Sequence, residues 1–532
     1  MDMLFNSYSF ILIFFPVVFA GFFILGQQSH RLAAIWLVMS SLVFYGLWDA
    51  RYIFLLLASI SFNYGFGHWI RLSLQDARER IKKQAKYCLI LAITINLCLL
   101  GYFKYANFFA SSVNQLLGCK TPVMNIILPI GISFFTFTQI AFLVDVYRGI
   151  VREYSFVHYL LFVTYFPHLI AGPVLHHKQM VPQFTDPKTY VMNSEHVAVG
   201  LTIFIIGLAK KVLIADSLAE CATPIFDAVR DGSVVMLFES WIGALAYTLQ
   251  IYFDFSGYSD MAIGLSLIFN IRLPINFDSP YKATSIISFW RRWHMTLSAF
   301  LRDYLYIPLG GSHKGTARRF SNLMATMVLG GLWHGAGWTF VVWGGLHGLY
   351  LMINHAWREL KANLGWHGDG RFARLCACLL TFLSVVVAWV FFRSQSFSAA
   401  ISLLSGMAGM NGLTLSQSLQ AKLAPLIGHI PLKITFDGLM PIAGLHVDKL
   451  FGIMFGLSVV WFLPNVRQML SNFKPTWEDI TGVTTLAPMS KNRISRVATW
   501  ELTYVSAVGI GILFCYCMFS LSNVSEFLYF QF

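Results

Sequence analysis

The twenty residues "LGGLWHGAGWTFVVWGGLHG" (329–348) decide how the chain is read. They are too apolar for a soluble loop and too rich in glycine and histidine for a plain membrane helix. At membrane depth, broken backbone is tolerated only where protein or a water-filled cavity covers it. "QIYFDFSGYSDMAIG" (250–264) has the same mixed character, and both stretches suggest a cavity. Around them lie ordinary spans, such as "FILIFFPVVFAGFFIL" (10–25), "LAAIWLVMSSLVFYGLW" (32–48) and "LLTFLSVVVAWVFF" (379–392). About ten to twelve such segments, some interrupted, are long enough to cross a bilayer. The expected fold is therefore an all-α polytopic membrane protein.

Composition agrees. The 532 residues are 57% hydrophobic and 16% aromatic, with only 12% charged. A soluble domain carries roughly 25% charged residues. The net charge of +13 sits in short loops between apolar runs. That is the positive-inside pattern, not the basic face of a nucleic-acid-binding domain. The first run lacks a basic n-region and a small-residue cleavage site, so it reads as retained. The C-x-C pairs Cys376/Cys378 and Cys515/Cys517 lie in or beside apolar helices and read as packing residues; no metal site is expected.

Loop charge gives an orientation. "RLSLQDARERIKKQAK" (71–86) is placed in the cytoplasm, and counting back three spans puts the N-terminus outside. A second basic segment, about 464–498, is also expected inside, whereas 394–450 and the tail 522–532 are expected outside. One membrane domain is expected to fill residues 1–532, with its core motifs over about 100–348.

Chemistry-bearing residues stand out against this apolar ground. His334 sits where Gly331 and Gly335 let another helix come close. An imidazole suits proton transfer near neutral pH, and an ionisable residue inside a membrane segment is a functional hypothesis by default. His294 in "WRRWH" is a second acid/base or positioning candidate; His347 and His168 read as structural. Arg291, Arg292 and Arg302 offer planar forks for phosphate oxygens, and Lys314, Arg318 and Arg319 extend the basic set. Lipid-headgroup anchoring explains the same residues equally well. Asp254 and Tyr258, four apart, share a helix face and, with Asp260 and Asp303, are candidates to hold a histidine or arginine in place. Interhelical hydrogen bonding is the blander account of them. No G-x-S-x-G elbow or H-E-x-x-H pair is present.

Six stretches in order carry a resemblance: "LGYFKYANFF", "LPIGISFFTF", "FPHLIAGPV", "YFDFSGYSDMAIG", "FWRRWHMTLSAFLRDYLYIPLGG" and "GGLWHGAGWTFVVWGGLHG". Together they resemble the membrane-bound O-acyltransferase (MBOAT) family, and within it the membrane subunits of bacterial alginate O-acetyltransferases. The resemblance implies membrane helices ringed around a funnel, with His334 and His294 at the catalytic positions. It implies a cytoplasmic acyl donor, acetyl-coenzyme A or an acyl-carrier thioester, and an acceptor on the far side of a bacterial inner membrane. The expected product is an O-acetylated polysaccharide such as alginate, with peptidoglycan or cellulose as alternatives, delivered with an SGNH-type or esterase-like periplasmic partner. "FLYFQF" (527–532) resembles the tyrosine-containing tails of related systems, which makes Tyr529 a candidate acyl relay. An acyltransferase acting on lipid or protein stays open. A non-enzymatic transporter with a proton-relay histidine should show paired halves with matching broken helices, and no such symmetry is found.

Overall fold

A computed structural model describes residues 3–76, 78–118, 122–151, 155–170, 172–365, 370–414, 434–436, 447–478, 500–521 and 527–528. It is almost wholly helical; the described strands are two-residue pieces, Leu413–Thr414 and Ile434–Thr435, paired in parallel.

Among the described residues, six helices are long and apolar enough to cross a membrane. They are α1 (Phe10–Gln28), α2 (His30–Asp49), α3 (Arg51–Gln75), α4 (Arg80–Leu117), and, further along, Ser194–Arg230 and Arg371–Arg393. Four shorter apolar helices join them: α5 (Ile132–Tyr147), Phe397–Met407, Leu450–Phe462 and Tyr504–Ser520. In chain order after α5, we label Ser194–Arg230 α6 and Leu237–Ile268 α7. Gly315–His334 is α8, Trp338–Asn363 is α9 and Arg371–Arg393 is α10. Helices α7, α8 and α9 are as long as the spans but not apolar enough to count with them. Among the polar residues that lower their hydropathy are Asp254 and Asp260 on α7, Arg318, Arg319 and His334 on α8, and His347 on α9. Many large apolar side chains on the spans are bare, among them Phe54, Leu380 and Phe519. On a soluble surface such exposure would drive aggregation; on a membrane protein it is the lipid-facing side.

Packing divides the chain into two compact units. The first holds Met1–Ala209, Gly257–Asn276 and Val466–Ser522. An amide network pins its helices: Asn63 Nδ2 on α3 donates to Asn96 Oδ1 on α4 (3.1 Å) and to Gln139 Oε1 on α5 (3.0 Å). Asn96 Nδ2 returns a bond to Asn63 Oδ1 at 2.7 Å, and Gln139 Nε2 donates to Ser59 Oγ at 3.0 Å. Packing without a hydrophobic driving force relies on such pairs and on small residues. Gly200 and Gly264 supply the second device, since a Cβ on either would meet the other's carbonyl oxygen at about 2.6 and 2.5 Å.

The second unit holds Lys210–Ser256, Phe277–Asn465 and Asn523–Phe532. Its core is aromatic, with Trp293, Trp343, Trp389, Tyr247, Tyr281 and Phe289 all buried. Helices α8 and α9 form a hairpin whose crossing leaves no room for a side chain. A Cβ on Gly331 would run into the carbonyl oxygen of Phe340, and one on Gly344 into that of Met327. The close approach anticipated at Gly331 is thus to the next helix in the chain.

Candidate active site

The hairpin decides where His334 goes. It is the last residue of α8, and the chain leaves it through Gly335 in extended backbone. The ring is buried, 6% exposed, within an aromatic collar. Trp333, Trp343 and Phe392 (on α10) place their rings 4.9, 5.1 and 5.2 Å from it. Trp343 meets it edge to face at 85°.

His294 arrives from a different stretch. It lies between two short helices, Ile286–Trp290 and Met295–Leu301, at φ 42° and ψ 55°. This left-handed backbone is uncommon for a residue with a Cβ, although histidine is among those that enter it more readily. Strain of this kind costs about 1–3 kcal/mol and persists where surrounding packing over-determines it. Here the packing is complete: His294 is 0% exposed, with Phe255 of α7 edge-on at 4.8 Å. The two candidate histidines, forty positions apart in sequence, come together with ring centroids 6.4 Å apart.

A small cavity adjoins His334, lined by Ile251, Asp254, Phe255, Trp293, Trp389, Phe392 and Leu528. Its volume is about 10 Å³, room for about one water.

The structure gives Asp254 a lysine partner. Lys211 Nζ lies 2.8 Å from Asp254 Oδ1 and 2.8 Å from Asp216 Oδ1. Lys211 is 1% exposed and was not singled out from the sequence. The available signal was a lysine pair, Lys210–Lys211, in the middle of a 37-residue apolar helix. A π-helical turn at Lys210–Ala215 interrupts α6 at that point, a feature frequent at functional sites.

The other candidates fall out as follows. Tyr258 and Asp260 belong to the first unit; Tyr258 is buried and stacks on Phe5 at 4.9 Å, and Asp260 is partly buried. Arg292 lies 3.7 Å from Asp278 Oδ2 and donates to the Asp278 carbonyl at 3.2 Å. Arg302 pairs with Asp303 and Arg319 with Glu359, each at 2.6 Å. Arg291, Lys314 and Arg318 are exposed and form no ion pair among the described residues. His347 is 0% exposed, accepts from Trp290 Nε1 at its Nδ1 (3.3 Å) and lies parallel to Phe289. His168, in the first unit, bonds through Nε2 to the Phe162 carbonyl at 2.8 Å. Tyr529 lies outside the described residues. Among those residues no three His, Cys, Asp or Glu side chains converge on a metal site.

Chemically, the arrangement offers two imidazoles, one on the wall of a small apolar cavity, with a buried ion triad beside it. That combination suits proton transfer in a place shielded from bulk water.

Comparisons with known proteins identify the family. The model of the MBOAT, membrane-bound O-acyltransferase family matches residues 85–397. A peptidoglycan O-acetyltransferase of Helicobacter pylori is 43% identical over 440 residues, covering 78% of this chain and 81% of that one. A probable alginate O-acetylase, AlgI, of Pseudomonas aeruginosa is 42% identical over 429 residues, covering 80% and 78%. Its counterpart in Pseudomonas putida is 37% identical over 538 residues, the full length of both. The chain belongs to the membrane-bound O-acyltransferase family and is an enzyme that transfers acyl groups.

Proposed function

We propose that this chain is the membrane subunit of a polysaccharide O-acetylation system, moving an acetyl group from a cytoplasmic thioester to an acceptor outside the bacterial inner membrane. The observation that carries the reading is the pairing of His294 with His334 beside the small cavity. The relatives' names supply the group transferred.

In this mechanism His334 takes the proton of the acceptor hydroxyl as its oxygen attacks the thioester carbonyl, a contribution of roughly 10²–10⁴-fold. The carbonyl oxygen carries the developing negative charge, and an N–H of His294 stabilises it. The carbon–sulfur bond then breaks, and the thiolate leaves with the proton held by His334. Acetyl-coenzyme A, or an acyl-carrier thioester, is the donor. Its phosphates are held by exposed guanidinium and ammonium groups, of which Arg291, Lys314 and Arg318 are the unengaged members.

Loop charge supports both termini on the periplasmic side: the basic loop 71–86, read as cytoplasmic, puts the N-terminus there, and the basic segment of about 464–498 does the same for the C-terminal tail. An SGNH-type or esterase-like partner then passes the group to the polymer. Tyr529 is the proposed relay, its phenol accepting the acetyl group as an ester. Relatives named for peptidoglycan and for alginate are nearly equal in identity, at 43% and 42%, so the polymer class proposed is an extracytoplasmic polysaccharide. The test is a deletion strain complemented with wild type or His334→Ala. O-Acetyl content of purified peptidoglycan and of any secreted polysaccharide should fall in the deletion and return only with wild type. Unchanged acetylation in the deletion strain overturns the reading.

A further inference from the structure

The buried ion triad holds more than itself. Lys211 Nζ bridges Asp216 and Asp254 at 2.8 Å each, and the second oxygen of Asp254 accepts the backbone N–H of Leu528 at 3.1 Å. The ring of Phe527 lies 4.8 Å from the same ammonium group. Phe527 is 1% exposed and Leu528 6%. Both come from the last six residues of the sequence, yet they are buried against Lys211 of α6 and Asp254 of α7, within one compact unit.

Each contact answers a physical demand. Three ionised groups in an apolar interior are costly, and hydrophobic residues of similar size would serve packing as well or better. Two carboxylates facing one ammonium leave a carboxylate oxygen wanting a donor, and a buried backbone N–H wants an acceptor. The bond between Leu528 and Asp254 satisfies both at once. A cation facing an aromatic ring is attracted by the ring's quadrupole, more strongly when both are desolvated. The same Leu528 is part of the wall of the His334 cavity.

We propose that Lys211, Asp216 and Asp254 form a binding socket for the chain's own C-terminal segment, and that seating Phe527 and Leu528 there stoppers the cavity at His334. With the segment seated, the cavity has room for about one water. An acceptor larger than water reaches the histidine past Leu528 only once the segment shifts. The functional weight of the stopper rests on the reading of His334 as the base; the socket itself does not.

The test uses the full chain in lipid nanodiscs, in a cysteine-free background carrying Leu528→Cys. The rate of labelling by a water-soluble maleimide reports whether position 528 is seated. Slow labelling is expected in this parent. It should become at least about tenfold faster with Phe527→Ala, which leaves the ion triad intact, and with Lys211→Met. Gel filtration checks that each variant is folded, and Phe527→Ala carries the test if Lys211→Met is not. Labelling as fast in the parent as in a denatured sample, or unchanged by Phe527→Ala, overturns the socket. Labelling does not depend on catalysis, so adding His334→Ala should leave the slow rate unchanged. If His334→Ala retains acetyl transfer while the labelling pattern holds, the assignment of the base falls and the socket stands.

Discussion

The imidazoles of His294 and His334 lie 6.4 Å apart, centre to centre, with their planes inclined at 58°. With ring nitrogens only ~1.2 Å from each centre, the two cannot approach closer than ~4 Å, beyond the roughly 3 Å of a direct hydrogen bond. The two rings therefore do not bond to each other, and in the proposed mechanism each acts on the reacting groups instead. Replacing His334 by Ala should lower acetyl transfer from labelled acetyl-coenzyme A by roughly 10²–10⁴-fold. The gel-filtration profile should be unchanged. Transfer at the wild-type rate would remove His334 from the mechanism.

His294 makes a separate prediction, because its φ of 42° reverses an ordinary ranking. Gly is normally worse than Ala in regular structure by about 0.5–1 kcal/mol. At a left-handed position Ala pays about 1–2 kcal/mol that Gly does not. His294→Gly should therefore be at least as thermostable as His294→Ala, though both lose a buried ring. Both should be impaired in acetyl transfer by about 10²-fold or more if the ring supports the oxyanion. A pair of active variants would reduce His294 to a packing residue.

How much of this was legible in the sequence depends on the residue. The interrupted stretches around Asp254 and His334 announced polar groups in an apolar chain, and helices α7 to α9 are where the structure puts them. The meeting of His294 with His334 was not readable from spacing, since a left-handed kink and a glycine hairpin crossing set it; only the resemblance paired them. Lys211 was overlooked for a physical reason. A lysine pair near an apolar run reads as the cytoplasmic end of a span. Only the π-turn and the packing show that Lys211 is turned inward between two carboxylates. Nor could sequence tell which basic side chains were already engaged, as Arg302 and Arg319 are.

That distinction among the cations is testable. If the donor's phosphates are held by the cations not already paired, Arg291→Gln, Lys314→Gln and Arg318→Gln together should raise the KM for acetyl-coenzyme A by about tenfold or more, with kcat within about twofold. The effect should shrink as ionic strength rises, because exposed charges are screened. Arg302→Gln and Arg319→Gln, whose side chains already bridge carboxylates, should do less. A uniform KM across all five positions would favour the headgroup-anchoring account of the basic residues.

The hairpin of α8 and α9 offers a matched pair of glycine substitutions. A methyl group on Gly331 would collide with the backbone carbonyl of Phe340, which cannot swing aside as a side chain can. At Gly345, in the neighbouring helix, an added Cβ meets nothing within 4 Å. Overpacking of this kind costs about 1–3 kcal/mol, whereas Gly to Ala in an open helical position gains up to about 1 kcal/mol. Gly331→Ala should therefore lower the apparent Tm by several degrees and depress transfer, since His334 lies three residues along the same helix. Gly345→Ala should match or exceed wild type in both. Equal Tm values for the two variants would show that the helices can part at Gly331, and that the crossing does not fix the position of His334.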